Sequence, residues 1–118
     1  MTFEKLIKKV QDWGQEKGIT DPKNTDKQFL KFMEEALEFK TELDWYADIF
    51  WRDGYSDTFL DYIRQNLMLE FGDVLVTLCI LAKQLEIDPN ECLSLAYDKI
   101  SNRKGKTIDG TFVKEEDL

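Results

Sequence analysis

The sequence predicts an all-α fold: a four-helix bundle with a short C-terminal hairpin or extended arm, in one domain over residues 1–118. Three observations predict it. Apolar residues recur at three- and four-residue steps through four segments. Helix-start and helix-stop residues bracket those segments. The clearest strand signal comes near the end, where Thr107-Ile108 and Thr111-Phe112-Val113 flank Asp109-Gly110, the dipeptide of a type I′ hairpin turn.

The first helix is written by Phe3, Leu6, Ile7, Val10 and Trp13, with Thr2 as N-cap and Gly18 as its end. Thr20 to Thr25, containing Pro22, reads as a loop. A second helix runs from about Asp26 to about Tyr46, with Phe29, Phe32, Met33, Ala36, Phe39 and Leu43 as its apolar stripe. Residues 47–57 are less regular and aromatic, and Asp53-Gly54 signals a turn. A third helix begins near Asp57 and runs to about Glu86. From Val74 to Ala82 it is apolar on nearly all sides, which predicts a centre buried all round. Asp88 caps a fourth helix, with Pro89 at its first position and Glu91 in a capping-box-like place. That helix carries Leu93, Leu95, Ala96 and Ile100 and stops near Gly105.

Composition excludes several classes of function. The net charge is −8 and there is no histidine, which removes histidine general bases, histidine-ligated zinc and Ser-His-Asp triads. A nucleic-acid backbone needs a basic face, so no nucleic-acid partner is expected. The longest apolar run stops at Lys83, short of the ~20 residues that span a bilayer, so no membrane partner is expected. Charges at Glu4, Lys5, Lys8 and Lys9 leave no room for a signal-peptide core. Cys79 and Cys92 are too few for a disulfide framework, and Cys79 reads as a buried, reduced thiol. The expected location is the cytoplasm.

Two carboxylate pairs carry the chemistry. Glu35 and Glu38 are three apart on the second helix; Glu70 and Asp73 are three apart on the third. At about 100° per residue each pair spans about 60° of its helix, so both carboxylates reach one point. Ile63, Leu67, Val74 and Leu81 share the face of Glu70, which predicts that Glu70 and Asp73 lie on a buried face. Buried, adjacent carboxylates need counter-charge, from bases or from metal. Glu35 and Glu38, beside Glu34 and Glu42, also fit a solvated acidic face. An all-oxygen donor set suits magnesium, with manganese as a substitute, rather than zinc. Lys99 and Arg103, one turn apart on the fourth helix with Asn102 between them, fit a phosphate clamp or simply cations favoured by a helix C-terminus.

At these residues the chain resembles the MazG-like family of all-α nucleoside triphosphate pyrophosphohydrolases. Lys31-Phe32-Met33-Glu34-Glu35-Ala36-Leu37-Glu38 resembles the family's first motif, a lysine followed by E-E-x-x-E. Glu70-Phe71-Gly72-Asp73 resembles its second, E-L-G-D, with Phe71 in place of leucine. Lys99 to Arg103 is similar to the basic K-x-x-x-R feature of the last helix, and Asn102 adds a K-x-x-N arrangement. The tail from Arg103 to Lys114 resembles those of short phage-type members. The interval between the acidic motifs, Trp45 to Asn66, is long and aromatic, in a region whose surroundings select nucleotides in the family.

The resemblance implies magnesium-dependent cleavage of a nucleoside triphosphate between its α- and β-phosphates, by a homodimer or homotetramer. It implies Glu35, Glu38, Glu70 and Asp73 as the catalytic, metal-binding set, with Glu35, Glu70 and Asp73 as ligands and Glu38 also helping to hold and deprotonate the attacking water. It implies Lys31, Lys99, Asn102 and Arg103 as the substrate-binding set. A carboxylate-bridged di-iron bundle is the poorer reading, because it uses E-x-x-H. A non-catalytic helical module that binds a nucleotide or protein stays open, as does the identity of the nucleotide. Trp13, Trp45 and Trp51 read as core residues before they read as base-stacking platforms.

Overall fold

The computed structural model describes residues 1–51 and 56–118. It is all-α in class, with four helices and one two-stranded hairpin among those residues. The elements run α1 (Phe3–Glu16), a 3₁₀ turn (Pro22–Asn24), α2 (Thr25–Phe50), α3 (Asp57–Leu85), α4 (Pro89–Ser101), β1 (Gly105–Ile108), β2 (Thr111–Lys114) and a final 3₁₀ turn (Glu115–Asp117). The chain divides into two compact units, Met1–Ile87 and Asp88–Leu118.

Cap chemistry sets the helix boundaries. The Thr2 hydroxyl accepts from the Lys5 N–H at 3.2 Å and opens α1; such a cap contributes about 1 kcal/mol. Gly18 ends it at φ +75, a left-handed conformation that glycine adopts without a Cβ clash. Ser56 accepts from the Phe59 N–H at the start of α3. Asp88 accepts from the Asn90 N–H at the start of α4, with Pro89 at its first position. Two ends differ from expectation. α2 runs on to Phe50, where Tyr46 and Phe50 stack one turn apart at 5.8 Å and extend the helix through the aromatic stretch. α4 stops at Ser101, because the chain must turn before β1 begins at Gly105. Asp53-Gly54 lies outside the described residues.

In the first unit α1 and α2 both pack on α3. The core is small: Ile7, Ile49, Ile63, Cys79, Ile80 and Ala82 are buried, and Ile80 is 1% exposed. Burying a side chain of that size stabilises the fold by about 1.5–3 kcal/mol. Glutamine amides fix the register. Gln11 Nε2 donates to the Cys79 carbonyl, Gln28 Nε2 to that of Thr77, and Gln84 Nε2 to that of Ile19, each at 3.0 Å. Cys79 is a free thiol, as expected, and burial pushes its ionisation up.

The centre of α3 is not buried all round. Thr77, Cys79, Ile80 and Ala82 are covered, but Leu78 is 41% exposed. Two packed helices cover two sides of a cylinder, and the side of Leu78 is left over. By length and composition alone α3 is apolar enough to cross a membrane. A core helix of a small domain has the same composition, and α1 and α2 pack along this one.

In the second unit β1 and β2 pair antiparallel, Gly105 opposite Lys114 and Ile108 opposite Thr111. Asp109 at φ 50 and Gly110 at φ 80 give two successive left-handed residues, the requirement of the expected I′ turn.

Gly14 shows how closely α1 approaches α3. A Cβ at Gly14 would collide with Cδ1 of Ile80, whereas a Cβ at Gly72, mid-way along α3, would meet nothing within 4 Å. Gly14→Ala should therefore destabilise the protein by about 1–3 kcal/mol through overpacking, against the usual gain for alanine in a helix. Gly72→Ala should stabilise by about 0.5–1 kcal/mol. Urea unfolding of both variants checks the pair; equal effects would mean α1 does not sit this close.

Candidate metal centre

The site grows out of the pairing of α2 with α3. Gln28 meets Thr77, Glu35 meets Glu70, and Phe39 meets Phe71 with ring centroids 5.5 Å apart. From Gln28 and Thr77 to Glu35 and Glu70 the numbers rise on one helix as they fall on the other, which defines an antiparallel pair. Along α2 the half-buried positions are Thr25, Gln28, Phe32, Glu35, Ala36, Phe39, Glu42 and Tyr46, followed by buried Ile49. Apart from Ala36, these follow alternating four- and three-residue steps, the stripe of a helix that packs along its length. Phe29, Met33 and Leu43, expected in the stripe, are exposed. The face toward α3 is thus rotated from the expected apolar stripe and carries two acids, Glu35 and Glu42.

Three carboxylates converge. Glu35, Glu38 and Glu70 each offer an oxygen, and those oxygens lie within 4.8 Å of one another. The solvated-face reading fails for Glu35, whose side chain is 13% exposed, and holds for Glu34 at 65%. Oε2 of Glu35 and Oε2 of Glu70 are buried with no hydrogen-bond partner among the described residues. A buried acceptor without a donor is unfavourable, and here two stand in one cluster. Hard-oxygen donors on facing helices fit a divalent cation of the magnesium class.

Electrostatics describe the same crowding. The charge of Glu35, and then a hydrogen bond with Glu35, raise the Glu38 carboxyl above its ordinary range; desolvation and Glu70 add to this and Lys31 opposes it. Burial raises Glu70 first, followed by the charges of Asp73, Glu35 and Glu42. The nearest cation is Lys31, with Nζ at 3.2 Å from Glu34 and 3.3 Å from Glu35 Oε1. Those hydrogen bonds, Glu34's before Glu35's, raise the Lys31 ammonium. Lys31, expected among the substrate-binding residues, is engaged with the carboxylates.

Asp73 departs from expectation. It is exposed rather than on a buried face, and it acts on Glu70 as a neighbouring charge while standing outside the three-carboxylate cluster. Three residues past Glu70 is about 60° around the helix, enough to carry Asp73 off the narrow seam. Glu42 is the residue that sequence reasoning passes over. Its signal is position: seven residues after Glu35, two turns along the same face.

The second unit holds the remaining candidates. Lys99 and Arg103 line one open cavity of about 480 Å³ with Lys104, Lys114, Glu115 and Glu116. Asn102 instead turns back on its own helix, Nδ2 donating to the Asp98 carbonyl at 3.1 Å. Trp13, Trp45 and Trp51 are exposed rather than in the core.

The raised carboxyls give a pH signature. A carboxyl whose folded pKa exceeds its unfolded value binds its proton more tightly when folded. The resulting penalty on the metal-free protein is absent at low pH and grows as pH rises from the ordinary value of 4.5 through the folded value. Glu70→Gln should therefore melt above the parent near neutral pH in metal-free buffer, with the gap closing toward about pH 4. Magnesium should stabilise the parent by about 2.7 kcal/mol at a hundredfold excess over its dissociation constant, and the variant should lose most of that gain. Glu70 carries this test because Asp73 is exposed. A variant that melts lower at neutral pH, with no magnesium effect on the parent, would make the cluster a structural ion-pair network.

Among known proteins, the chain is similar to an uncharacterized 18.2 kDa protein in the rep-hol intergenic region of Haemophilus phage HP1 (strain HP1c1). The two are 29% identical over 86 residues, 73% of this chain and 43% of that protein. The chain thus spans under half the length of that relative. No family model matches the chain, and no solved structure does.

Proposed function

We propose that the chain is a magnesium-dependent nucleoside triphosphate pyrophosphohydrolase, which cleaves an NTP or dNTP to a monophosphate and pyrophosphate. The observation that carries this reading is the convergence of Glu35, Glu38 and Glu70 across the α2–α3 seam, with two buried oxygens lacking donors. The likeness of Lys31–Glu38 and Glu70–Asp73 to the two acidic motifs of the MazG-like family supports it.

Magnesium held at such a cluster supplies charge neutralisation toward phosphate and makes water a usable nucleophile near neutral pH. Glu35 and Glu70 are the inner ligands in this reading, fixed by their helices. Asp73, one turn on, completes the set from the exposed rim. Glu38 is exposed and has a raised proton affinity, which suits a base that takes a proton from the attacking water. Lys31 trims the charge on Glu35. Lys99 and Arg103, on the second unit, offer cations of the kind that pair with phosphate, an electrostatic role.

The alternative, a non-catalytic module, draws on one observation: Lys31 already pairs with Glu34 and Glu35. One ammonium cannot balance Glu35, Glu38, Glu70, Asp73 and Glu42 together, which leaves room for a metal cation; the likeness to the two acidic motifs is what favours the enzyme reading.

Incubation with a panel of NTPs and dNTPs plus magnesium should release pyrophosphate and a monophosphate. Orthophosphate and diphosphate as first products would remove the mechanism, and no turnover would leave the binding module. The uncovered side of α3 near Leu78 also leads us to expect a homodimer or homotetramer. Light scattering should give at least twice the mass of 13.9 kDa; a stable monomer at micromolar concentration would overturn that expectation.

A further inference from the structure

Four cations of the second unit meet in one place. Lys99, Arg103 and Lys104 come from the last turn of α4 and the residues after it, and Lys114 closes β2. The hairpin is what brings Lys114 there. Gly105 pairs with Lys114 in the ladder, and the Glu115 N–H donates to the Lys104 carbonyl at 2.8 Å. Backbone bonds therefore hold Lys104 and Lys114 near each other, and the four basic residues line a cavity of about 480 Å³.

The same cavity is also lined by Glu115 and Glu116, so the four cations share it with two carboxylates. Among the described residues Lys99, Arg103 and Lys104 have none within ion-pairing distance. Lys114 has one, Glu116, at 3.8 Å, between side chains that are 43% and 76% exposed. That is a long, solvated pair of the kind that contributes little. The last carbonyls of α4 do not fill the cavity's need for charge either. Ile100 accepts from the Arg103 N–H, and Asp98 accepts from the Ser101 hydroxyl and the Asn102 amide.

We propose that Lys104 and Lys114 join Lys99 and Arg103 in a four-cation pocket that binds a chain of two or more phosphate groups without metal, with Glu116 as a competing internal anion. A chain suits the pocket better than a single phosphate, because four separated cations exceed what one tetrahedral anion pairs with. This deepens the phosphate-chain part of the function proposed above. The pocket is complete within Asp88–Leu118, so its binding does not depend on the carboxylate cluster being catalytic.

Calorimetry of the full chain in metal-free buffer tests it, with inorganic tripolyphosphate, ATP and orthophosphate as separate probes. Tripolyphosphate should bind, orthophosphate should bind far more weakly, and binding should weaken as salt rises. Lys104→Ala and Lys114→Ala should each weaken tripolyphosphate binding about three- to tenfold. Glu116→Gln should tighten it. Lys106→Ala, which removes a neighbouring cation outside the pocket, should leave it unchanged. Equal affinities for tripolyphosphate and ATP would make the bare phosphate chain the recognised group; a clear preference for ATP would add the nucleoside to it. Absence of tripolyphosphate binding, or an equal loss in Lys106→Ala, would overturn the pocket. If tripolyphosphate binds but no triphosphate is hydrolysed with magnesium, the pocket stands and the catalytic reading falls. If triphosphate is hydrolysed but no tripolyphosphate binds without metal, the catalytic reading stands and the pocket falls.

Discussion

The pairing of α2 with α3 must accommodate two carboxylates placed inside the seam between the helices. Glu35 and Glu70 occupy positions that apolar side chains would fill in a helix pair built for stability alone. Withdrawing a carboxylate from water is costly, and placing two together costs more. The seam survives because its other layers hold it. Phe39 packs edge-on against Phe71, Gln28 locks onto the Thr77 carbonyl, and Ile49, Ile63 and Ile80 anchor the pair and its neighbour. The register matters most. A slip by one residue would move both acids to water and leave apolar groups at other faces, and the glutamine-to-carbonyl bonds prevent that slip. Polar residues kept against stability in this way mark function more often than structure.

Much of this is legible in the sequence, and the failures share a cause. Helix starts are readable because a capping side chain acts within three residues: Thr2, Asp88 and the start at Asp57 are local facts. The hairpin is readable because Asp109-Gly110 tolerates the left-handed conformations its turn requires. The face of α2 is not readable. Phe29 and Met33 look like core and Glu35 looks like surface, but a partner helix chooses a face by the sum of its contacts along the whole length. The stripe through Phe32, Phe39, Tyr46 and Ile49 wins because it extends through both halves of a long helix, and Glu35 and Glu42 ride on it. Asp73 is misplaced for the complementary reason: its apolar face reads as wide in the sequence, whereas the seam against α2 is narrow.

Lys31 reaches only part of the carboxylate cluster. An ammonium on a flexible stem satisfies the oxygens it reaches from one side, here one of Glu34 and one of Glu35. The inward oxygens of Glu35 and Glu70 stay without donors. A small divalent cation differs in kind, since it accepts several oxygens at once and carries twice the charge. The gradient of exposure points the same way. Glu35 and Glu70 are held within the seam, while Glu38 and Asp73 stand at its rim, so the fixed groups suit holding and the exposed ones suit exchange with solvent.

The second unit carries seven acids to five bases, yet its bases are unevenly placed. Of the five basic residues between Asp88 and Leu118 (Lys99, Arg103, Lys104, Lys106 and Lys114), all but Lys106 line one cavity. The acids of the first unit are instead gathered on α2 and α3. A net charge of −8 repels a free phosphate chain at long range, and at physiological ionic strength that repulsion is screened within about 8 Å. Capture then depends on what lies inside that distance. At the proposed pocket, four cations against the carboxylates of Glu115 and Glu116 leave a local excess of positive charge. An acidic net charge is therefore compatible with the proposed capture of a short phosphate chain that fits within one pocket.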